Sequence, residues 1–204
     1  MRIERIYNTF TDLVDIGRLA LFIEMNTKGS HHNIEDVVEQ AKHFNLVVLT
    51  GEDPFHQRED VAEFIKKYKK ANPFGFVQVI TDGVTRPVSL NNQKDVTYII
   101  GVALKNSGKD YEKRVDEKVL KWFRDAPSSY FVFMVFDEDD FDEVSLIVSA
   151  VEIRRHQVFI IPGGDIQEIC LAAKVRKYNI TFKVGATIWG DLDDEEGGCS
   201  GEHS

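Results

Sequence analysis

Cysteine is nearly absent from this 204-residue chain, with Cys170 and Cys199 its only two. Two distant thiols make no disulfide framework, so a reducing cytoplasm is the expected location. No apolar run approaches the ~20 residues of a membrane-spanning helix, so no membrane partner is expected. The opening residues Met1-Arg2-Ile3-Glu4-Arg5 enter a strand-like pattern directly, without the apolar core of a secretory signal. A basic stripe that would neutralise phosphates is also missing, which sets nucleic acid aside as a partner.

The composition that remains is ordinary for a folded protein, 43% hydrophobic and 29% charged. The formal charge of −9 is unevenly placed. Residues 191–204 hold six acids and no Lys or Arg, leaving the rest of the chain at −3. A Gly-rich acidic stretch buries too little apolar surface to order itself. Residues 191–204 are therefore read as a solvated tail, with a partner-binding tail as the alternative. Residues 1–190 show no internal repeat and no linker, and are read as one domain.

Strand-like and helix-like periods alternate through that domain. Ile3 to Thr9 and Leu19 to Ile23 read as strands. Asn33 reads as an N-cap, with Asp36 three residues on, opening a helix whose buried stripe is Ile34, Val37, Val38, Ala41 and Phe44. Leu46 to Thr50 is the continuous apolar run of a strand covered on both faces. A helix with Val61, Phe64, Ile65 and Tyr68 inward follows, then strands at Phe76 to Ile80 and Val96 to Ile100. Beyond a polar loop at Asn106-Ser107-Gly108, a helix carries Val115, Val119, Trp122 and Phe123 inward. Tyr130 to Phe136 is a strand, Val158 to Ile161 another, Ile166 to Tyr178 a helix, and Thr181 to Trp189 a last strand. The acidic run Asp137 to Glu143 admits a cation site. The stronger reading is structural, with Asp137 as cap, Phe136 stapled to Phe141, and the acids complementing the helix dipole. Strands alternating with helices imply right-handed crossovers. The chain is short for an eight-unit barrel of ~250 residues. The expected fold is therefore α/β, a single-domain partial (β/α) barrel with a mostly parallel sheet.

In such folds the chemistry sits where strands end and helices begin. This directs attention to Leu49-Thr50-Gly51-Glu52-Asp53-Pro54-Phe55-His56-Gln57. A glycine just past a buried strand lets the backbone approach a ligand, and a neighbouring carboxylate can hold an amine. A tight strand-to-helix turn with no ligand is the equal alternative.

The segment resembles the Thr-Gly-Gly-Glu-Pro-Leu-x-Gln stretch of radical S-adenosylmethionine enzymes, most closely the 7-carboxy-7-deazaguanine synthases of queuosine and archaeosine precursor synthesis. Thr50, Gly51, Pro54 and Gln57 match, Asp53 stands for the Glu, and Glu52 replaces the second Gly. Gly17 to Ile23 is similar to the family's Gly-x-Pro-Ala-x-Phe-Val strand. Ile80-Thr81-Asp82-Gly83 sits where the family has Glu-Thr-Asn-Gly, and Leu104 to Gly108 resembles its Lys-x-Pro-Ser-Gly loop. Phe131 to Val144 is similar to its Lys-Phe-Val strand and Asp-rich helix start, and Ile160-Ile161-Pro162 to its strand ending in Pro. The resemblance covers roughly residues 3–190. It implies a pocket lined by Gly51, Glu52, Asp53, His56, Thr81, Asp82 and Lys105 for a small ligand such as S-adenosylmethionine or a deazapurine.

The family also carries Cys-x-x-x-Cys-x-x-Cys after the strand ending in Phe22-Ile23, and three thiolates hold a [4Fe–4S] cluster there. Here the connection is Glu24-Met25-Asn26-Thr27-Lys28-Gly29-Ser30-His31-His32-Asn33, short and without cysteine. His31 and His32 are adjacent, their side chains diverge, and no Cys/His spacing supports a zinc site. They read as surface or capping residues, and Cys170 reads as a packed core residue. Thr181 to Trp189 keeps the apolar frame of the family's last strand without its substrate-facing Gln and His. The expectation is therefore a catalytically inactive homologue with a binding or assembly role, without an iron–sulfur cluster or other cofactor. The expected partners are itself or an active relative. A small-ligand binding module is the alternative. A cluster-independent enzyme using His56, Asp53 and Lys105 ranks last, because no nucleophile–base pair stands at a recognisable spacing.

Overall fold

The apolar runs become strands and the amphipathic stretches become helices. The computed structural model describes residues 1–11, 16–88, 96–108 and 110–181. The expected strand beyond Thr181, the tail 191–204 and Cys199 lie outside the described residues. In chain order the elements are β1 (Arg2–Phe10), β2 (Leu19–Met25), β3 (Ser30–His31), α1 (Ile34–Ala41), β4 (Leu46–Gly51), α2 (Arg58–Ala71), β5 (Phe76–Thr81) and β6 (Val96–Gly101). There follow α3 (Tyr111–Arg114), α4 (Glu117–Asp125), β7 (Ser129–Val135), α5 (Glu138–Val151), β8 (Val158–Pro162), α6 (Ile166–Arg176) and β9 (Asn179–Ile180).

One nine-stranded sheet runs in the order β3-β1-β2-β4-β5-β6-β7-β8-β9. β1 is antiparallel to both β2 and β3, and every pairing from β2 onward is parallel. β3 lies outside β1, and through the parallel strands from β2 to β9 spatial order follows chain order, so among the described residues the winding there never reverses and has no topological switch point. Crossovers of one hand place their helices on one face of the sheet. This is the winding of a (β/α) barrel left open between β3 and β9, the expected partial barrel.

The helix-side face carries the main core. Leu21, Ile23, Val47, Leu49, Val77, Val79, Tyr98, Ile100, Phe131 and Phe133 meet the buried stripes of α1, α2, α4 and α5. The opposite face is also apolar. Ala20, Phe22, Leu46 and Val48 form one cluster there, Ile99, Val132 and Ile161 another, and Ile80 packs against both. Strands buried on both faces explain why these segments read as continuous apolar runs.

Local chemistry marks the helix ends. Asn33 accepts a hydrogen bond from the Glu35 N–H at 3.1 Å, and Asp137 from the Asp140 N–H at 2.9 Å. The structural reading of the acidic run therefore holds, and Phe136 and Phe141 line one groove. The single helix expected around Val115 and Phe123 is two. Asp116 accepts from the N–H groups of Lys118 and Val119 and starts α4 afresh, with Val115 buried in the break. Cys170 corrects the core reading. The buried stripe of α6 is Ile169 and Ala173, and Cys170 sits one helical step off it, half-buried, while Ile166 is exposed.

The centre of the core is aromatic. Phe55, Tyr98, Trp122 and Phe123 contact one another with ring centroids 5.1–6.2 Å apart. The Tyr98 hydroxyl is buried there without a hydrogen-bond partner among the described residues, and burial pushes its pKa up to about 12. An unsatisfied buried hydroxyl costs about 1–3 kcal/mol. Tyr98→Phe, which keeps the ring contacts, is expected to stabilise the fold by about 1 kcal/mol in urea unfolding, and a loss of stability would reveal a partner for the hydroxyl.

Candidate functional site

Parallel pairing of β2 with β4 runs to the end of both strands, setting Met25 opposite Gly51. Gly51 has φ +110°, and a Cβ there would stand 2.2 Å from the Met25 carbonyl oxygen and 2.7 Å from its nitrogen. The Glu52 N–H donates to that same carbonyl at 2.9 Å. Glycine is thus demanded here by the neighbouring strand's backbone. The conformational freedom that the sequence reading reserved for a ligand is used by Met25.

The chain leaving Met25 is folded into a tight turn. Asn26 accepts from the backbone of Lys28 and Gly29 and donates to Glu4. Glu52 reaches across from β4, and its Oε2 accepts from the Thr27 N–H at 3.2 Å and the Thr27 hydroxyl at 2.7 Å. These bonds hold its carboxyl below its ordinary value. Gln57 clamps the backbone of Arg2 from both sides, accepting from its N–H at 2.6 Å and donating to its carbonyl at 3.0 Å. Glu24 is paired with Arg5. A three-thiolate cluster does not fit this connection, which offers no sulfur ligand except the Met25 thioether in the core and in which Asn26 and Thr27 are engaged by Glu4 and Glu52.

Beyond Glu52 the chain turns inward. Asp53 is 8% exposed and caps the 3₁₀ turn Pro54–Gln57, its Oδ1 accepting from the Phe55 N–H at 3.1 Å. Phe55 enters the aromatic core and so anchors the turn. Oδ2 of Asp53 has no hydrogen-bond partner among the described residues. Burial first, and the charge of Asp82 second, push the Asp53 carboxyl up to about 6, while the Phe55 N–H, the Thr81 hydroxyl and His56 favour its ionised form.

Thr81 and Asp82 arrive from the end of β5. The buried Thr81 hydroxyl accepts from the Gly83 N–H at 3.2 Å, and the exposed Asp82 accepts from the Val84 N–H at 2.9 Å. Gly51, Glu52, Asp53, His56, Thr81 and Asp82 therefore gather at the ends of β4 and β5. Lys105 is engaged elsewhere. Its N–H donates to Glu143 at 2.7 Å and its Nζ lies 3.4 Å from Asp139, both on α5.

That second network contains residues the sequence reading did not single out. Arg114 and Glu143 form a buried ion pair at 2.5 Å. Asp140 accepts from the Asn106 side chain and the Phe136 N–H, both at 2.8 Å, fastening the loop after β6 to the end of β7. Asp140 lay within the recognised acidic run, but its partners are distant in sequence. Among the described residues no three His, Cys, Asp or Glu side chains converge as a metal site. Two grooves among the described residues flank α6, and neither is lined by Gly51 or Asp53.

The elevated Asp53 carboxyl has a thermodynamic signature. Its pKa is about 6 in the fold against a reference of 3.8, so between these values the folded chain holds a proton that the unfolded chain has released. Stability therefore falls as pH rises from about 4 to 6, and the loss, about 2–3 kcal/mol, persists above. Asp53→Asn keeps the acceptor for Phe55 and removes the charge. The variant should exceed the parent in stability by about 2 kcal/mol at pH 7.5 and match it near pH 4. Chemical unfolding at both pH values checks this, and a difference independent of pH would contradict it.

No family model matches the chain. A 7-carboxy-7-deazaguanine synthase from Pyrobaculum aerophilum is 25% identical over 207 residues, spanning 87% of this chain and 89% of that protein. Among solved structures, an enolase from Pseudomonas fluorescens Pf0-1 with bound magnesium, potassium and tartrate aligns over 89% of this chain at 16% identity and a TM-score of 0.42. This chain spans 42% of the enolase's length, and the likeness is too low to bear on chemistry. The chain is distantly similar to 7-carboxy-7-deazaguanine synthase along most of its length.

Proposed function

We propose that this protein is a non-catalytic relative of 7-carboxy-7-deazaguanine synthase, keeping the open barrel for a binding or assembly role, with itself or with an active relative as partner. One observation carries the proposal. The connection after β2, where the resemblance implies a cluster loop, is a four-residue turn at 26–29 closed by Glu52 from β4 and backed by Gln57 on Arg2. Glu52 occupies the position of the family's second glycine, so the substitution and the shortened turn support each other. The 25% identity across most of both chains supports descent from such an enzyme.

A ligand-binding role is the second reading, favoured by one atom. Oδ2 of Asp53 is buried and lacks a hydrogen-bond donor among the described residues. A protonated amine, such as that of S-adenosylmethionine, would satisfy it and lower the cost of its burial. A cluster-independent hydrolase gains less support, because Lys105 is held against α5 rather than beside Asp53 and His56.

Anaerobic reconstitution with iron and sulfide tests the leading reading. The expected outcome is no iron–sulfur absorbance and no cleavage of S-adenosylmethionine under reducing conditions, and appearance of both would overturn it. Calorimetric titration of the same protein with S-adenosylmethionine tests the second. Heat that disappears in Asp53→Asn supports amine binding, and no heat at millimolar ligand, a limit of about −4 kcal/mol, rejects it.

A further inference from the structure

We propose that the groove beside α6 and β9 seats the chain's own acidic segment, Asp191-Leu192-Asp193-Asp194-Glu195-Glu196. The groove, of about 540 Å³, is lined by Cys170, Leu171, Lys174, Lys177, Tyr178 and Ile180. It joins apolar surface to positive charge. Leu171 is 65% exposed, and the exposed ammonium groups of Lys174 and Lys177 pair with no described residue. Arg176, between them in sequence, is engaged on the other side, 4.0 Å from both Glu138 and Asp142 on α5. Cations at the end of a helix suit the negative pole of its dipole, but the dipole calls for no apolar surface beside them. A partner that matches the groove carries an apolar side chain among several carboxylates.

Segment 191–196 has that composition, with Leu192 set between acids. Charge also favours this occupant over a separate one. Residues 1–190 carry −3, so a free acidic chain is not steered toward them at long range. A tethered segment needs no steering, because its effective concentration at a nearby site is on the order of millimolar.

The tether begins at the groove itself. Ile180 belongs to its lining, and β9 is fixed there by the Thr181 N–H, which donates to the Ile160 carbonyl at 2.9 Å. The Asn179 side chain adds bonds to the His156 and Val158 carbonyls at 3.1 and 2.9 Å. From Thr181 to Leu192 the chain can span at most ~40 Å. The eleven residues of α6 extend only ~16 Å, so the whole groove is within reach of Leu192. Seating of this segment is independent of the closed turn at 26–29, and either can fail without the other.

The chain's two cysteines report the contact, since Cys170 lines the groove and Cys199 follows shortly after Glu196. The full chain at about 1 µM is equilibrated with glutathione and glutathione disulfide, each closure of Cys170 with Cys199 converting one glutathione disulfide into two glutathione. The equilibrium gives the effective concentration of Cys199 at Cys170. It should be at least about tenfold higher in the folded chain than in denaturing urea. Lys174→Glu together with Lys177→Glu should lower it about tenfold, because two exposed pairs are lost and repulsion replaces them. Half-molar salt should act in the same direction. Adding Asp193→Lys, Asp194→Lys, Glu195→Lys and Glu196→Lys to that double variant should restore the parent value. Equal effective concentrations in folded and unfolded chain would overturn the inference. So would indifference to both lysine substitutions, absence of rescue, or a disulfide found only between separate chains.

Discussion

The pairing of β2 with β4 to their last residues controls the whole C-terminal edge of the sheet. Met25 opposite Gly51 brings two backbones so close that no Cβ fits at residue 51. With the chain pinned there, Glu52 emerges beside the 26–29 turn and binds Thr27. The next residue, Asp53, is turned beneath the surface, and Pro54–Gln57 begins the descent into α2. Phe55 locks that descent into the aromatic core, and Gln57 returns to hold the edge strand β1 at Arg2. A sequence stretch that resembles a ligand loop is in this chain a chain of structural fastenings, with one carboxylate oxygen left over.

That remaining oxygen separates stability from function. Burying a carboxylate without full compensation works against folding, and the fold tolerates it because Phe55, Thr81 and His56 offset part of the cost. Sites that bind or react commonly keep a group the fold would be more stable without. Lys105 illustrates the opposite outcome. Its backbone N–H and its ammonium both meet carboxylates on α5, and these contacts tie the loop after β6 to that helix. The same sheet edge thus holds both a residue used for structure and a carboxylate oxygen left without a donor among the described residues, in keeping with function residing in sites rather than folds.

Much of the frame was legible because it is local. The runs Leu46–Gly51 and Val96–Gly101 are mostly apolar and become largely buried strands, and Val61, Phe64, Ile65 and Tyr68 recur at helical spacing and are all buried. Caps such as Asn33 and Asp137 depend on atoms two or three residues away. What escaped the sequence is long-range. Gln57 meets Arg2 across 55 residues, Glu52 meets Thr27 across 25, and Lys105 meets Asp139 across 34. Gly51 was recognised as special, but its reason lies on another strand. Cys170 was assigned to the core by its residue type, whereas its step around α6 leaves it half-buried.

The central claim is that the connection after β2 is a closed structural turn held by Glu52. Amide hydrogen exchange at Thr27 tests it most directly, because that N–H donates to the Glu52 carboxylate. The account predicts a protected Thr27 amide in the parent chain and a loss of that protection in Glu52→Ala, with β2 and β4 amides unchanged. A Thr27 amide that exchanges at the rate of an open chain in the parent protein would contradict the account.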